Sequence, residues 1–263
     1  MYDTQTLYEK IRANEVDGMR KSIEAAQRLF PELGATGLEI AGGIARYNGF
    51  EALSQAFGLG ADAPVRPEEI ARLIEFYRSR NSTPRVFVTP LTHPSLVRSL
   101  MLAGFEPARY ENVLASDDFE THARHDDRVT VATDVDAWAL ASMKGFMGDE
   151  PIATADPRVG VILASSEGSI ALAGREGDEI VATAVLSLRG GCASFFAGAT
   201  VSKLRRRGWH LTLIRERIAR AAQAGARIMR AAAEPGGASE RNFLRCGFRV
   251  LYTRTLWSAA PPD

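Results

Sequence analysis

A run of cationic residues closed by a glycine, Arg205-Arg206-Arg207-Gly208, stands between a short apolar stretch, Gly198-Ala199-Thr200-Val201, and a segment of helical periodicity that opens at Trp209-His210. Such a grouping is suited to holding an anion. A helix starting there leaves its first backbone N–H groups unpaired and points the positive end of its dipole at the same place, so a phosphate is favoured before any side chain is counted. The arginines add to that attraction, and glycine at 208 lets the backbone approach a ligand with no Cβ in the way. Leu211, Leu213, Ile214, Ile218, Ala221 and Ala222 share one stripe of the helix, which places Arg215, Glu216, Arg217, Arg220 and Gln223 on its other faces. The spacing predicts strand, phosphate loop and helix in succession.

Arg205-Arg-Arg-Gly208-Trp-His210 resembles the acyl-CoA pyrophosphate loop of the GCN5-related N-acetyltransferases (GNAT), in which Arg or Gln is followed by two residues, Gly, one residue, then Gly or Ala. The last position departs from that pattern, being His210. The order after the helix extends the likeness over roughly the last half of the chain: strand-like Arg227–Ala233, a turn at Glu234-Pro-Gly-Gly237, a short helix Ser239–Cys246, then Gly247-Phe248 leading a β-rich run to Trp257. The resemblance implies acetyl-CoA as cosubstrate, a small-molecule amine as acceptor and direct transfer in a ternary complex, with no metal; a homodimer is compatible with it. It implies that the backbone of Ala199, Thr200 and Val201 pairs with the pantetheine arm and that the N–H groups of Arg206, Arg207, Gly208, Trp209 and His210 hold the pyrophosphate. Lys203 and Arg205 would meet the outer phosphate, and Asn242, in a Ser239-Glu-Arg-Asn242 pattern that resembles a two-domain subgroup of the family, is a further candidate for binding the cosubstrate.

Acyl transfer to an amine also needs a base for the amine and an acid for the departing thiolate. Family members commonly carry Tyr four residues before the Gly of Gly-Phe; Phe243 stands there, and a phenyl ring cannot donate a proton. A two-domain subgroup suggests Tyr252 as acid, with a half-buried strand tyrosine as its other reading. Glu234 is the candidate base through a water, or else a solvated turn carboxylate. Loss of part of this machinery would leave a non-catalytic acyl-CoA-binding or assembly module, the alternative to an enzyme.

The elements that must position these residues fill a chain long enough for two domains, 263 residues with 46% apolar content. Thirty-two Lys and Arg balance 32 Asp and Glu, so no overall field argues for nucleic acid or an anionic membrane. Two cysteines, Cys192 and Cys246, make no disulfide framework, and no apolar run reaches the roughly 20 residues of a membrane helix. A cytoplasmic protein is expected. Tyr2–Phe30 reads as one or two helices broken near Gly18, followed by a glycine-rich stretch with a strand at Leu38–Ala41. Next come a helix at Pro64–Arg80, a strand at Arg85–Val88, a helix at Pro94–Ala103 and a strand from Phe105. Adding 143 to this set carries Arg85 onto Ile228, Gly104 onto Gly247 and Phe105 onto Phe248, an internal repeat. The first half has no arginine cluster before Pro67 and should not hold a pyrophosphate. The polar stretch from Ser116 to Arg128 reads as a linker; its His122 and His125 lack an ordered third metal ligand. Beyond it a strand at Val129–Thr133, a helix at Asp134–Met147 with Trp138, Leu140, Ala141 and Met143 inward, and three strands lead into the phosphate loop. The fold class expected is α/β: tandem GNAT-like domains, each a mixed, mostly antiparallel sheet flanked by helices. A degenerate half spans 1–116, the linker 117–128 and the acetyl-CoA-binding half 129–263.

Overall fold

The computed structural model describes residues 4–148 and 156–259, which fall into two compact units, one of residues 4–112 with 252–259 and one of residues 113–251. The first opens with α1 (Thr4–Leu29), a single helix. Glycine inside a helix costs about 1 kcal/mol relative to alanine. Burial of Tyr8 and Ile11 before Gly18, and of Met19, Ile23 and Ala26 after it, outweighs that cost and carries the helix through the expected break. β1 (Thr36–Ile40) and β2 (Gly43–Tyr47) form a hairpin whose two turn residues, Ala41 and Gly42, both have positive φ, 50° and 78°. β3 (Gln55–Phe57) runs antiparallel to β2, and β4 (Arg85–Val88) parallel to β3. The last strand of the chain, β11 (Arg249–Ala259), lies antiparallel to β4 through Thr255–Ser258. α2 (Pro67–Arg78) and α3 (Pro94–Leu102) cover the sheet with Ile70, Leu73, Tyr77, Leu96 and Leu100 around Val86.

The second unit takes its sheet in the order β5-β10-β9-β8-β7-β6. Its strands are the end of β5 (Phe105–Ser116), which up to Asn112 belongs to the first unit, with β6 (Val129–Val131), β7 (Ser169–Glu176), β8 (Glu179–Arg189), β9 (Cys192–Thr200) and β10 (Ile228–Ala233). β7 to β9 form an antiparallel meander with two-residue turns at Gly177-Asp178 and Gly190-Gly191, β6 lies antiparallel to β7, and β10 runs parallel to β9. Among the described residues, four α-helices flank the sheet: α4 (Val135–Met147), α5 (Arg158–Ser165), α6 (Trp209–Gln223) and α7 (Ala238–Arg245). The apolar stripe of α6 packs Ile214, Ile218 and Ala221 against Leu186, Phe195 and Met229. Trp138 is buried at the centre of α4, whereas Leu140, expected inward, is 41% exposed; Ala139 takes the inner position. The order α2-β4-α3-β5 of the first unit recurs as α6-β10-α7-β11, at the offset read from the sequence.

Two residues of α6 depart from the expected surface. Glu216 and Arg217 are each 1% exposed. Glu216 accepts from Arg220 Nε at 2.8 Å and from the backbone N–H of Asp126 at 3.1 Å, and lies 3.2 Å from His125 Nδ1. The stretch read as a linker is therefore fastened to α6 by a buried carboxylate, and His125 is one of its partners.

Candidate functional site

β9 is distorted where it approaches the phosphate loop. Val185 pairs with Phe196 and Thr183 with Ala199, so two residues of β9, Ala197 and Gly198, oppose the single Ala184 of β8. Ala197 takes φ 49°, a left-handed conformation uncommon for a residue with a Cβ. On its other edge, β9 is paired with β10 from Cys192↔Ile228 to Phe195↔Ala231, and the register ends there. The bulge turns Phe196–Thr200 out of the ladder with β10 and opens a slot between two parallel strands. Beyond that register no ladder with β10 occupies this edge, and an open strand edge is the kind of place where an extended ligand can add by backbone pairing.

The slot runs into a groove of about 710 Å³ that reaches the first turns of α6 and α7. Gly208 caps α6 at φ 89°, a conformation natural to glycine, and no side chain caps the helix. Arg206 also has positive φ, 65°. Arg205, Arg206, Arg241 and Arg245 line the groove, and among the described residues no acidic side chain does. Every charge that the described residues place at its wall is positive, and a helix N-terminus faces it. Arg205 is partly committed to the backbone: it donates to Gly145 O at 2.8 Å and Thr200 O at 3.3 Å, fastening the end of α4 to β9. A Cβ at Gly145 would come 2.8 Å from Ala199 Cβ, so glycine permits that close approach.

His210 and Asn242 face each other across the groove. Arg245 donates to Asn242 Oδ1 at 3.3 Å, which turns the amide nitrogen toward His210 Nδ1, 3.1 Å away. Since an amide N–H₂ can only donate, Nδ1 is the acceptor and the neutral ring carries its proton on Nε2. Burial, with the Arg217 guanidinium adding to it, pushes His210 down from 6.5 to about 4, so the ring is neutral at neutral pH. Arg217 lies deeper. Its Nε donates to Leu213 O at 3.0 Å and its Nη1 to Val185 O at 3.3 Å and Phe196 O at 3.5 Å, the pair at the start of the bulge. The guanidinium stacks over Phe195, 4.8 Å from the ring centre, and burial pushes it down to about 9.

The residues expected to bind a ligand are mostly brought together: Ala199, Thr200, Arg205, Arg206, Gly208, Trp209, His210 and Asn242 all line the groove. Val201 and Arg207 do not. The Trp209 side chain is buried, its Nε1 donating to Glu176 at 3.2 Å, so it anchors the loop on β7. Glu234 is exposed, immediately after β10, and Tyr252 is a buried residue of the first unit, its ring edge-on to Tyr8 at 5.5 Å; neither lines the groove. Sequence reasoning missed Arg241 and Arg245, although their spacing on a short helix puts both on one face. It also missed the bulge and the burial of Arg217.

No protein-family model matches the sequence, and no curated protein sequence is similar to it. Solved structures share the fold. A GCN5-related N-acetyltransferase from Kribbella flavida superposes with a TM-score of 0.64 at 16% identity, over 92% of this chain and 96% of that one. One from Sphaerobacter thermophilus does so with a TM-score of 0.57 at 16% identity, over 87% and 77%. A tandem GNAT protein from the clavulanic acid biosynthesis pathway gives 0.55 at 14% identity, over 84% and 80%.

Proposed function

We propose that this chain, which has the tandem GNAT fold, is an acyl-CoA-dependent N-acyltransferase, with acetyl-CoA as the reference donor and the amine of a small molecule as acceptor. The observation that carries the reading is the slot beside Phe196–Thr200, which ends on a helix N-terminus in a groove lined by Arg205, Arg206, Arg241 and Arg245. The groove fits a pyrophosphate, and the slot fits an extended arm bearing amides. The thioester then lies toward the closed end of the slot. In the transfer, the amine nitrogen bonds to the thioester carbon, the C–S bond breaks, and the proton lost by the amine is the one the thiolate gains. Glu234, following the other wall of the slot, takes the amine proton through a water in this reading. Binding and alignment supply the rest, since holding two reactants in register removes much of the entropic barrier.

The first unit has no equivalent site in this account. Pro67 begins α2 without an N–H to offer, and the Glu69 carboxylate accepts from Arg66 N at 2.8 Å where an anion would sit. The loop after β3 is tied to the start of α3, with His93 N donating to Gly60 O at 2.7 Å.

A second reading, a CoA-binding module without turnover, is favoured by one observation: Phe243 is 3% exposed in an aromatic core with Phe195 and Phe248, and among the described residues no tyrosine lines the groove. Release of free CoA from acetyl-CoA with a panel of small amines separates the two. Amine-dependent release supports the enzyme. Tight CoA binding with no release over any amine leaves the module.

A further inference from the structure

Arg217 carries a charge into the core, and among the described residues no carboxylate is bonded to its guanidinium. A buried cation without a counter-charge destabilises a fold, and an apolar side chain of similar volume would fill the space at less cost. What the guanidinium does there is hold carbonyls. Nη1 donates to both Val185 O and Phe196 O, at 3.3 and 3.5 Å, and Nε to Leu213 O, so the side chain ties α6 to the last regular pair of β8 and β9 before the bulge. The registers on either side require one extra residue in β9 without deciding which peptide turns to absorb it. A cation bonded to Phe196 O decides it. The peptide unit is planar, so an oxygen held toward the guanidinium points the N–H of Ala197 away from it, and Ala197 takes its left-handed φ of 49°. Gly198, the other bulged residue, rests on the His210 ring, where a Cβ would lie 3.3 Å from Nε2.

The open slot competes with a closed one. β10 runs on to Ala233, two residues beyond Ala231, its last residue paired with β9. Were the peptide after Phe196 to rotate back, β9 would continue its ladder with β10 and the slot would narrow from its closed end. The left-handed backbone at Ala197 favours that rotation. The guanidinium opposes it, since a charged donor holds a carbonyl more strongly than a backbone amide does. We propose that Arg217 is the positioning residue of the slot: without touching the ligand, it keeps the β9 bulge in the shape that admits the extended arm of CoA. The proposal rests on the acyl-CoA reading of the groove and deepens it, because it makes binding of the arm separable from binding of the pyrophosphate.

The test titrates CoA and 3′-phospho-ADP, which is CoA without its pantetheine arm, into wild type, Arg217→Met and Arg217→Lys by calorimetry, with circular dichroism to check folding. The wild type should bind CoA the more tightly, because the arm adds the contacts of the slot. In Arg217→Met the affinity for CoA should fall about tenfold while that for 3′-phospho-ADP stays within about twofold. Arg217→Lys, which keeps a charged donor, should show the same selective loss to a smaller extent, and it carries the test if Arg217→Met does not fold. A residue that merely supports α6 would weaken both ligands alike, since α6 also carries the phosphate site. Equal losses for the two ligands in a folded variant therefore overturn the proposal, and so does no loss. Failure of both variants to fold means that Arg217 serves the fold itself, which overturns it too. Equal wild-type affinity for the two ligands overturns it without any variant. If the wild type binds neither ligand, the acyl-CoA reading itself has failed.

Discussion

Protonation of His210 offers a direct probe of how the groove is built. The ring is held neutral by burial and by Arg217, with Asn242 on its Nδ1 and Phe243 edge-on against it at 5.9 Å. Its pKa is lowered in the folded state, so the unfolded chain takes up the proton first and folding loses stability as pH falls below the unfolded value. The window runs from 6.5 down to about 4, below which both states are protonated and the loss is complete. At pH 4.5 the shift corresponds to about 2.5 kcal/mol, at roughly 1.4 kcal/mol per unit. Urea unfolding of the wild type at pH 7.5 and 4.5 measures the total change, to which carboxylates also contribute. His210→Gln keeps a donor of similar reach but cannot titrate, so its loss over the same interval should be smaller by about 2–3 kcal/mol. Equal losses in the two proteins would refute the buried, neutral ring.

Two stability predictions follow from other buried charges. Glu216→Ala removes the carboxylate that fastens residues 124–128 to α6; because His125 and Arg220 can turn to solvent, the loss should be about 1–3 kcal/mol, and limited proteolysis should begin to cut within 117–128. Arg254→Met leaves Glu15 and Glu111 without the guanidinium that bridges them at 2.6 and 2.9 Å, so urea unfolding should show a loss of about 3–5 kcal/mol at neutral pH.

The loop and its helix were legible because their signals are local: a left-handed glycine at 208, an apolar stripe and a cationic run within a few residues. The hairpins at Gly177 and Gly190 were legible for the same reason. Other features depend on partners distant in sequence. β2 and β3 passed unread because Gly43, Ala45 and Ala56 give little alternation, and their burial comes from α1 and α2. α5 was missed as a short helix of eight residues with no side-chain cap. Ala197 gives no sign in its type of a left-handed backbone; the strain is imposed by the register of β8 against β9. Arg217 reads as a surface residue on any helical projection, and only the carbonyls of Val185 and Phe196 explain why a charge lies beneath the sheet. The exchange that places β11 beside β4 arises from long-range pairing, which no local pattern reports.

The central claim is that the α6 N-terminus holds the pyrophosphate of CoA, and a calorimetric titration of CoA into wild type and Gly208→Glu tests it most directly. A Cβ at 208 meets nothing within 4 Å, so the variant should fold, with strain of about 1–2 kcal/mol from its positive φ. It puts a carboxylate where the phosphate sits. CoA affinity should fall tenfold or more, about 1.4 kcal/mol, while Ala222→Glu, the same added charge on an exposed position in the last turn of α6, should change it little. Unchanged affinity in a folded Gly208→Glu protein, as judged by circular dichroism, or equal losses in both variants, would contradict the account.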